Sequence, residues 1–205
     1  FGLGVLVFLM ITLTVIFRQL RWVLLPVLTC SFSVVATTGL LGMFGWEVTV
    51  ISSNFISLQL IITMAITIHL IVRYRELART NPDKSQRELV SDTVVFMAQP
   101  CLYAVLTTIA GFSSLILSGI LPVINFGWMM SAGLAVTFAT SFLLFPTLLM
   151  VMGRTESKPS SGNDRFLLPA YLARLTETQG NKILLLAALV TIAGAAGISQ
   201  LRIEN

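Results

Sequence analysis

The stretch "FISLQLIITMAITIHLIVRYRE" (residues 55–76) decides how the rest of the chain is read. It is apolar up to Val72 and then turns abruptly to Arg73, Arg75 and Glu76. A membrane-crossing helix needs about 20 mostly apolar residues, and the run Val48–Val72 supplies them. The charges mark where that run must leave hydrocarbon. The whole chain of 205 residues has the same character, 56% hydrophobic and only 11% charged. Its mean hydropathy is +0.90. Soluble domains carry roughly 25% charged residues, so composition alone argues for a membrane protein.

Five further runs resemble Val48–Val72: Phe1–Phe17, Trp22–Phe44, Val94–Ile120, Val123–Met152 and Ile183–Ile198. The first and last are short. The run Val123–Met152 exceeds what a bilayer needs and should tilt. The expected fold is therefore all-α, a polytopic membrane helix bundle with six transmembrane spans. The expected organisation is a five-span block over residues 1–153, a linker with a surface helix over 154–180, and a further span from 181 to 205 that leads out of the membrane. The chain opens on Phe1 inside an apolar run and closes on "LRIEN", which predicts a fragment of a longer polypeptide.

Alternating the loops between two sides puts twelve basic residues on one side and only Arg202 on the other. Cytoplasmic loops carry the excess of Lys and Arg. The basic loops are thus expected in the cytoplasm, with Gly45–Glu47 and the turn at Pro122 outside. The segment Arg73–Asp92 carries nine charges of mixed sign and reads as a solvated helical loop. "ESKPSSGND" (156–164) has linker composition. After it, Leu168, Tyr171, Leu172 and Leu175 recur at helical spacing with Arg165 and Arg174 beside them, the pattern of a helix lying on the membrane surface, with a short ordinary loop helix as the alternative.

No Asp, Glu, Lys or Arg falls inside the six runs, although buried ionisable groups are the usual mark of ion and proton pathways. Cys30 and Cys101 lie in apolar runs without metal or redox spacing and read as small buried hydrophobes. The serines of "GFSSL" (111–115) lack nucleophile-elbow spacing, and His69 is the chain's single histidine. No catalytic, cofactor-binding or metal-binding residue is expected, and no enzymatic activity. Polar residues instead crowd the run Val48–Val72, so this span should lie inside the bundle. Gln59, Thr63 and Thr67 share one face of it. Thr107 and Thr108 head a second polar cluster that continues to Ser113 and Ser114. Thr63, Thr67, His69, Thr107 and Thr108 are the candidate residues. They line a proton or water path, or they are hydrogen-bonding contacts between helices.

Three stretches carry a resemblance: "HLIVRYRE" (69–76), "QPCLYAVLTTIAGFSSLILSGILPVINFG" (99–127) and "GLAVTFATSFLLFPTLL" (133–149). The chain resembles the resistance–nodulation–division superfamily, in particular its lipid-exporting branch of the large mycobacterial-membrane-protein type. The five-helix block is also similar to a sterol-sensing domain. The resemblance implies spans two to seven of twelve, with partners in the remaining half and in two extracytoplasmic domains of the same protein. It implies a proton-coupled exporter of lipids or other hydrophobic molecules in a bacterial inner membrane, in contact with membrane lipids, with no cofactor and no nucleic-acid partner. The alternative it leaves open is a lipid-sensing regulatory module without transport. The family pattern places an Asp four residues before the His; here that position is Ala65, a vacated carboxylate site. His69 stands three residues before Val72, about 4.5 Å from the end of the span by helical rise. It reads either as a hydrated imidazole at the interface or as a step in proton entry or exit, because imidazole exchanges protons near neutral pH.

Overall fold

A computed structural model describes residues 2–17, 19–46, 54–153, 178–182, 184–185 and 187–192. The linker 156–164, the surface helix expected over 165–175, Glu47 and the terminal "LRIEN" lie outside the described residues. The chain divides into two compact units, Phe1–Thr155 and Glu156–Asn205. In the first, five α-helices follow one another: α1 (Gly2–Phe17), α2 (Leu20–Met43), α3 (Phe55–Thr80), α4 (Gln86–Ser114) and α5 (Leu121–Val151). The second contributes one apolar helix, α6 (Thr178–Ile192), whose described leucines are exposed. Among the described residues there is no strand.

Helices α2 to α5 are each long and apolar enough to cross a membrane, by length and composition. The described parts of the two outer runs, Gly4–Val15 and Thr178–Ile192, are shorter, as the runs themselves are. Hydropathy locates the apolar runs but not the helix ends. Helix α3 continues eight residues beyond Val72, to Thr80, and α4 begins eight residues before Val94, at Gln86. At 1.5 Å per residue α3 is about 39 Å long, against roughly 30 Å of hydrocarbon. The charged segment Arg73–Asp92 is thus a helical hairpin. Local chemistry sets its turn. Pro82 cannot continue α3, and Ser85 caps α4: its hydroxyl accepts from the Glu88 N–H while the Glu88 carboxylate accepts from the Ser85 N–H. This reciprocal box satisfies two donors that would otherwise be orphaned.

The turn at the other end needs a different device. After α4 a short 3-10 turn (Leu115–Leu117) leads to Gly119, whose φ of +74° is a left-handed conformation. Pro122 then sits in the first turn of α5, where its missing N–H costs nothing. The two helices meet closely here. A Cβ placed on Gly127 would stand 2.7 Å from the Phe112 carbonyl oxygen and 3.2 Å from the Leu115 Cβ.

Packing within the first unit buries the long helices to different extents. Helix α3, which carries Gln59, Thr63 and Thr67 on one face, is the most buried of the four long helices, and α4 is the least. Leu25, Leu70, Ile71, Leu89, Phe145 and Leu149 are fully buried and knit α2, α3, α4 and α5 together near the charged end. Aromatic and polar groups tie the same end. Trp22 packs on Tyr74 with ring centroids 5.9 Å apart. The Tyr74 hydroxyl donates to Gln86 Oε1 (2.6 Å), and the Gln86 amide donates to the Leu149 carbonyl (3.1 Å). Arg21 donates to the Gly153 carbonyl just past α5, where cations are favoured by the helix dipole. Phe8, Phe32, Val35, Val95 and Leu143 point outward, the surface a bilayer demands.

Gly127→Ala should lower the unfolding free energy by about 1–3 kcal/mol, the usual range for overpacking, because the new methyl meets backbone rather than a movable side chain. Gly111→Ala, whose Cβ meets nothing within 4 Å, should be nearly neutral. Thermal unfolding of the two variants in detergent checks the difference.

Candidate functional site

The buried faces of α2, α3 and α5 converge on one side chain. Gln59 is 2% exposed, and its amide nitrogen lies 2.5 Å from Thr37 Oγ1, 3.2 Å from both the Ser33 Oγ and the Ser33 carbonyl oxygen, and 3.3 Å from Thr137 Oγ1. Ser33, Thr37, Thr63 and Thr137 are fully buried. Ser33 Oγ and Thr137 Oγ1 are 3.0 Å apart, and Thr63 Oγ1 is 3.3 Å from Thr137 Oγ1. One amide therefore stitches three helices at the level of their hydroxyls. In hydrocarbon these groups have no water to turn to, so the cluster sets the register of α2, α3 and α5.

Room for the amide comes from Gly133 on α5. A Cβ there would stand 3.5 Å from Gln59 Oε1 and 3.3 Å from Thr37 Cγ2. The recess between Gln59, Phe55, Met130, Gly133 and Leu134 is too tight for a water molecule. Gln59 Oε1 and Ser141 Oγ have no hydrogen-bonding partner among the described residues. No titratable side chain belongs to the cluster, so its members bind through neutral dipoles.

The candidate residues separate into two groups. Thr63 and Thr67 are fully buried and donate to the Gln59 and Thr63 carbonyls of their own helix, both at 2.7 Å. Thr63 also joins the cluster; Thr67 extends the same face one turn on. His69 and Ala65 lie on the exposed side of α3, with Ile61 and Val72. Thr107 is exposed and Thr108 half-buried; both donate to α4's own backbone, Thr108 to the Ala104 carbonyl at 2.7 Å. The structure does not bring them to Gln59. Ser113 instead approaches Ser131 of α5 (3.2 Å). The sequence reading missed Ser33, Thr37, Thr137 and Ser141 as members or neighbours of the cluster. Their four-residue repeats in α2 and α5 are the signal that could have found them, since residues four apart share a helix face.

A second polar feature lies on the outside. Gln99, Tyr103, Thr107 and Gly111 recur every four residues on α4 and are all exposed. The Gln99 amide donates to the Tyr103 hydroxyl at 3.1 Å. The half-buried Arg73 of α3 lies over the Phe96 ring of α4, 4.7 Å from its centroid. Among the described residues no group of three or more His, Cys, Asp or Glu side chains could hold a metal ion. Cys30 and Cys101 are both buried free thiols.

A bundle of long apolar helices with internal hydroxyl cross-links is an integral membrane protein. The family model described as the MMPL family matches residues 2–176, and the chain belongs to that family, whose members are membrane transporters of the resistance–nodulation–division type. Comparison with curated proteins and with solved structures gave no match.

Gln59→Leu and Thr137→Val should each destabilise the bundle, and a double-mutant cycle between them should give a coupling of about 0.6 kcal/mol, the average for hydrogen bonds between membrane helices, and at most about 1.7 kcal/mol. Thr147→Val, outside the cluster, should show no coupling to Gln59→Leu. Unfolding by increasing denaturing detergent measures all of these.

Proposed function

We propose that this chain forms one membrane half of a proton-coupled exporter of lipids or other hydrophobic molecules, set in a bacterial inner membrane with its basic loops in the cytoplasm. The observation that carries the reading is the open polar strip on α4, Gln99, Tyr103 and Thr107, together with the exposed His69 of α3. Polar groups on a helix facing lipid are expensive, and such a strip belongs against another polypeptide surface or a water-filled cleft. A second helical block of the same polypeptide suits that surface. It would also supply the carboxylates of proton coupling, because position 65 is Ala and the apolar runs of this chain hold no Asp or Glu. In that arrangement His69 sits at the seam and can pass a proton between the cytoplasm and the partner's acids. The Gln59 cluster, closed and neutral, serves as the fixed scaffold on which the seam is built. Thr63 ties that scaffold to α3. The family's transporter character supports a hydrophobic substrate.

A second reading is a lipid-sensing module without transport. Ala65 favours it, since a sensor needs no coupling carboxylate. Both readings predict membrane lipids as contacts; they differ in flux.

Full-length protein reconstituted into vesicles should move a fluorescent phospholipid or a hydrophobic dye when a pH gradient is imposed, and the movement should cease when the gradient is collapsed. His69→Ala should reduce that rate severalfold while the protein stays monodisperse. An unchanged rate removes His69 from the proton route. No movement under any gradient favours the sensor.

A further inference from the structure

At the charged end, between the first turns of α4 and the last turns of α5, lies an open groove of about 500 Å³. Its lining is graded along its length. Val90, which is buried, and the half-buried Val94 and Pro146 form an apolar floor, while Arg87, Ser91 and Thr147 stand exposed at the rim. Arg87 precedes Val94, where the apolar run begins, by seven residues, or about 10 Å of helix. That is the depth over which a bilayer passes from headgroups to acyl chains. The Gln86 amide reaches the Leu149 carbonyl, so this turn of α4 is level with the end of α5 and the groove is walled on both sides.

The charges around it leave Arg87 available. The Glu88 carboxylate is engaged by the Ser85 N–H and hydroxyl, at 2.8 and 2.9 Å, and Asp92 is paired with Lys84 at 2.7 Å. Among the described residues no ion pair includes Arg87. A guanidinium without a hydrogen-bonding partner among the described residues, placed at headgroup depth above an apolar trough, is complementary to a phosphate that carries a hydrocarbon tail.

We propose that this groove binds one anionic phospholipid from the leaflet on the basic side of the bundle, with its phosphate on Arg87 and an acyl chain along Val94 and Pro146. The site does not depend on whether the protein exports anything. It serves the bundle by filling the α4–α5 seam and anchoring the charged hairpin at a fixed depth.

The test uses full-length protein in mild detergent and native mass spectrometry, with phosphatidylglycerol or phosphatidylcholine added separately. Wild type should retain one phosphatidylglycerol in preference to phosphatidylcholine. Arg87→Gln should weaken phosphatidylglycerol retention about fivefold, the worth of one interfacial cation, and leave phosphatidylcholine unchanged. Arg87→Lys should keep most of the preference. Arg79→Gln, a change at the same end but outside the groove, should leave it intact. Equal retention by wild type and Arg87→Gln would overturn the proposal. So would an equal loss in Arg79→Gln, displacement by the soluble headgroup glycerophosphoglycerol at the lipid's own concentration, or no lipid retained by wild type, which would mean that a protein segment fills the groove.

Discussion

A bilayer offers no hydrogen-bonding partner, so a polar side chain within it must be satisfied by the protein itself. Gln59 is where this constraint bears hardest. Its amide nitrogen lies within 3.3 Å of oxygens on α2 and α5, and Gly133 keeps the space it needs. These contacts place α2, α3 and α5 in a common register. Helix α3 is thereby drawn to the centre, and α4 is left at the periphery, packed mainly on α5. The outer strip of Gln99, Tyr103 and Thr107 follows from that order. Once the inner hydroxyls have been used to bind three helices, the polar groups of α4 are turned away from them.

The charged end obeys a different rule, because it lies where water and headgroups begin. Helices α3 and α4 run on past the hydrocarbon and close in a capped turn. Tyr74, Gln86 and Leu149 form a short relay of hydrogen bonds across α3, α4 and α5. Arg21 holds the end of α5, and Arg75 lies over the Phe17 ring of α1, 5.4 Å from its centroid. Arginines therefore bind the bundle's rim through carbonyls and aromatic faces more than through carboxylates. Arg79 and Arg87, both exposed, take part in no ion pair among the described residues.

Membership of the MMPL family makes this a membrane transporter, yet the apolar runs contain no carboxylate. Each feature constrains the other. A neutral, closed cluster is suited to holding helices together, and it cannot carry charge across the bilayer by itself. Ala65 and His69 lie on the exposed side of α3, and Arg73 of the same helix lies over Phe96 of α4.

The apolar runs were legible in the sequence, because a span of the required length without charges has few alternatives in water. The helical class, the burial of the span that contains Gln59, and membership of the family followed from that and from the motif at residues 99–127. Helix ends were less legible: hydropathy drops at Val72, but the backbone stays helical until Pro82 and the Ser85 cap impose a turn. The four-residue repeats of α2 and α5 mark polar faces but not their pairing with Gln59, whose bonds reach residues 26 positions away at Ser33 and 78 away at Thr137. Likewise, nothing in the spacing of Thr107 and Thr108 separated them from Thr63 and Thr67. Sequence by itself determined which segments enter the membrane, because transfer to hydrocarbon depends on local composition. Only the tertiary structure decided which polar faces meet and which stay open, because that depends on how whole helices rotate and pack against one another.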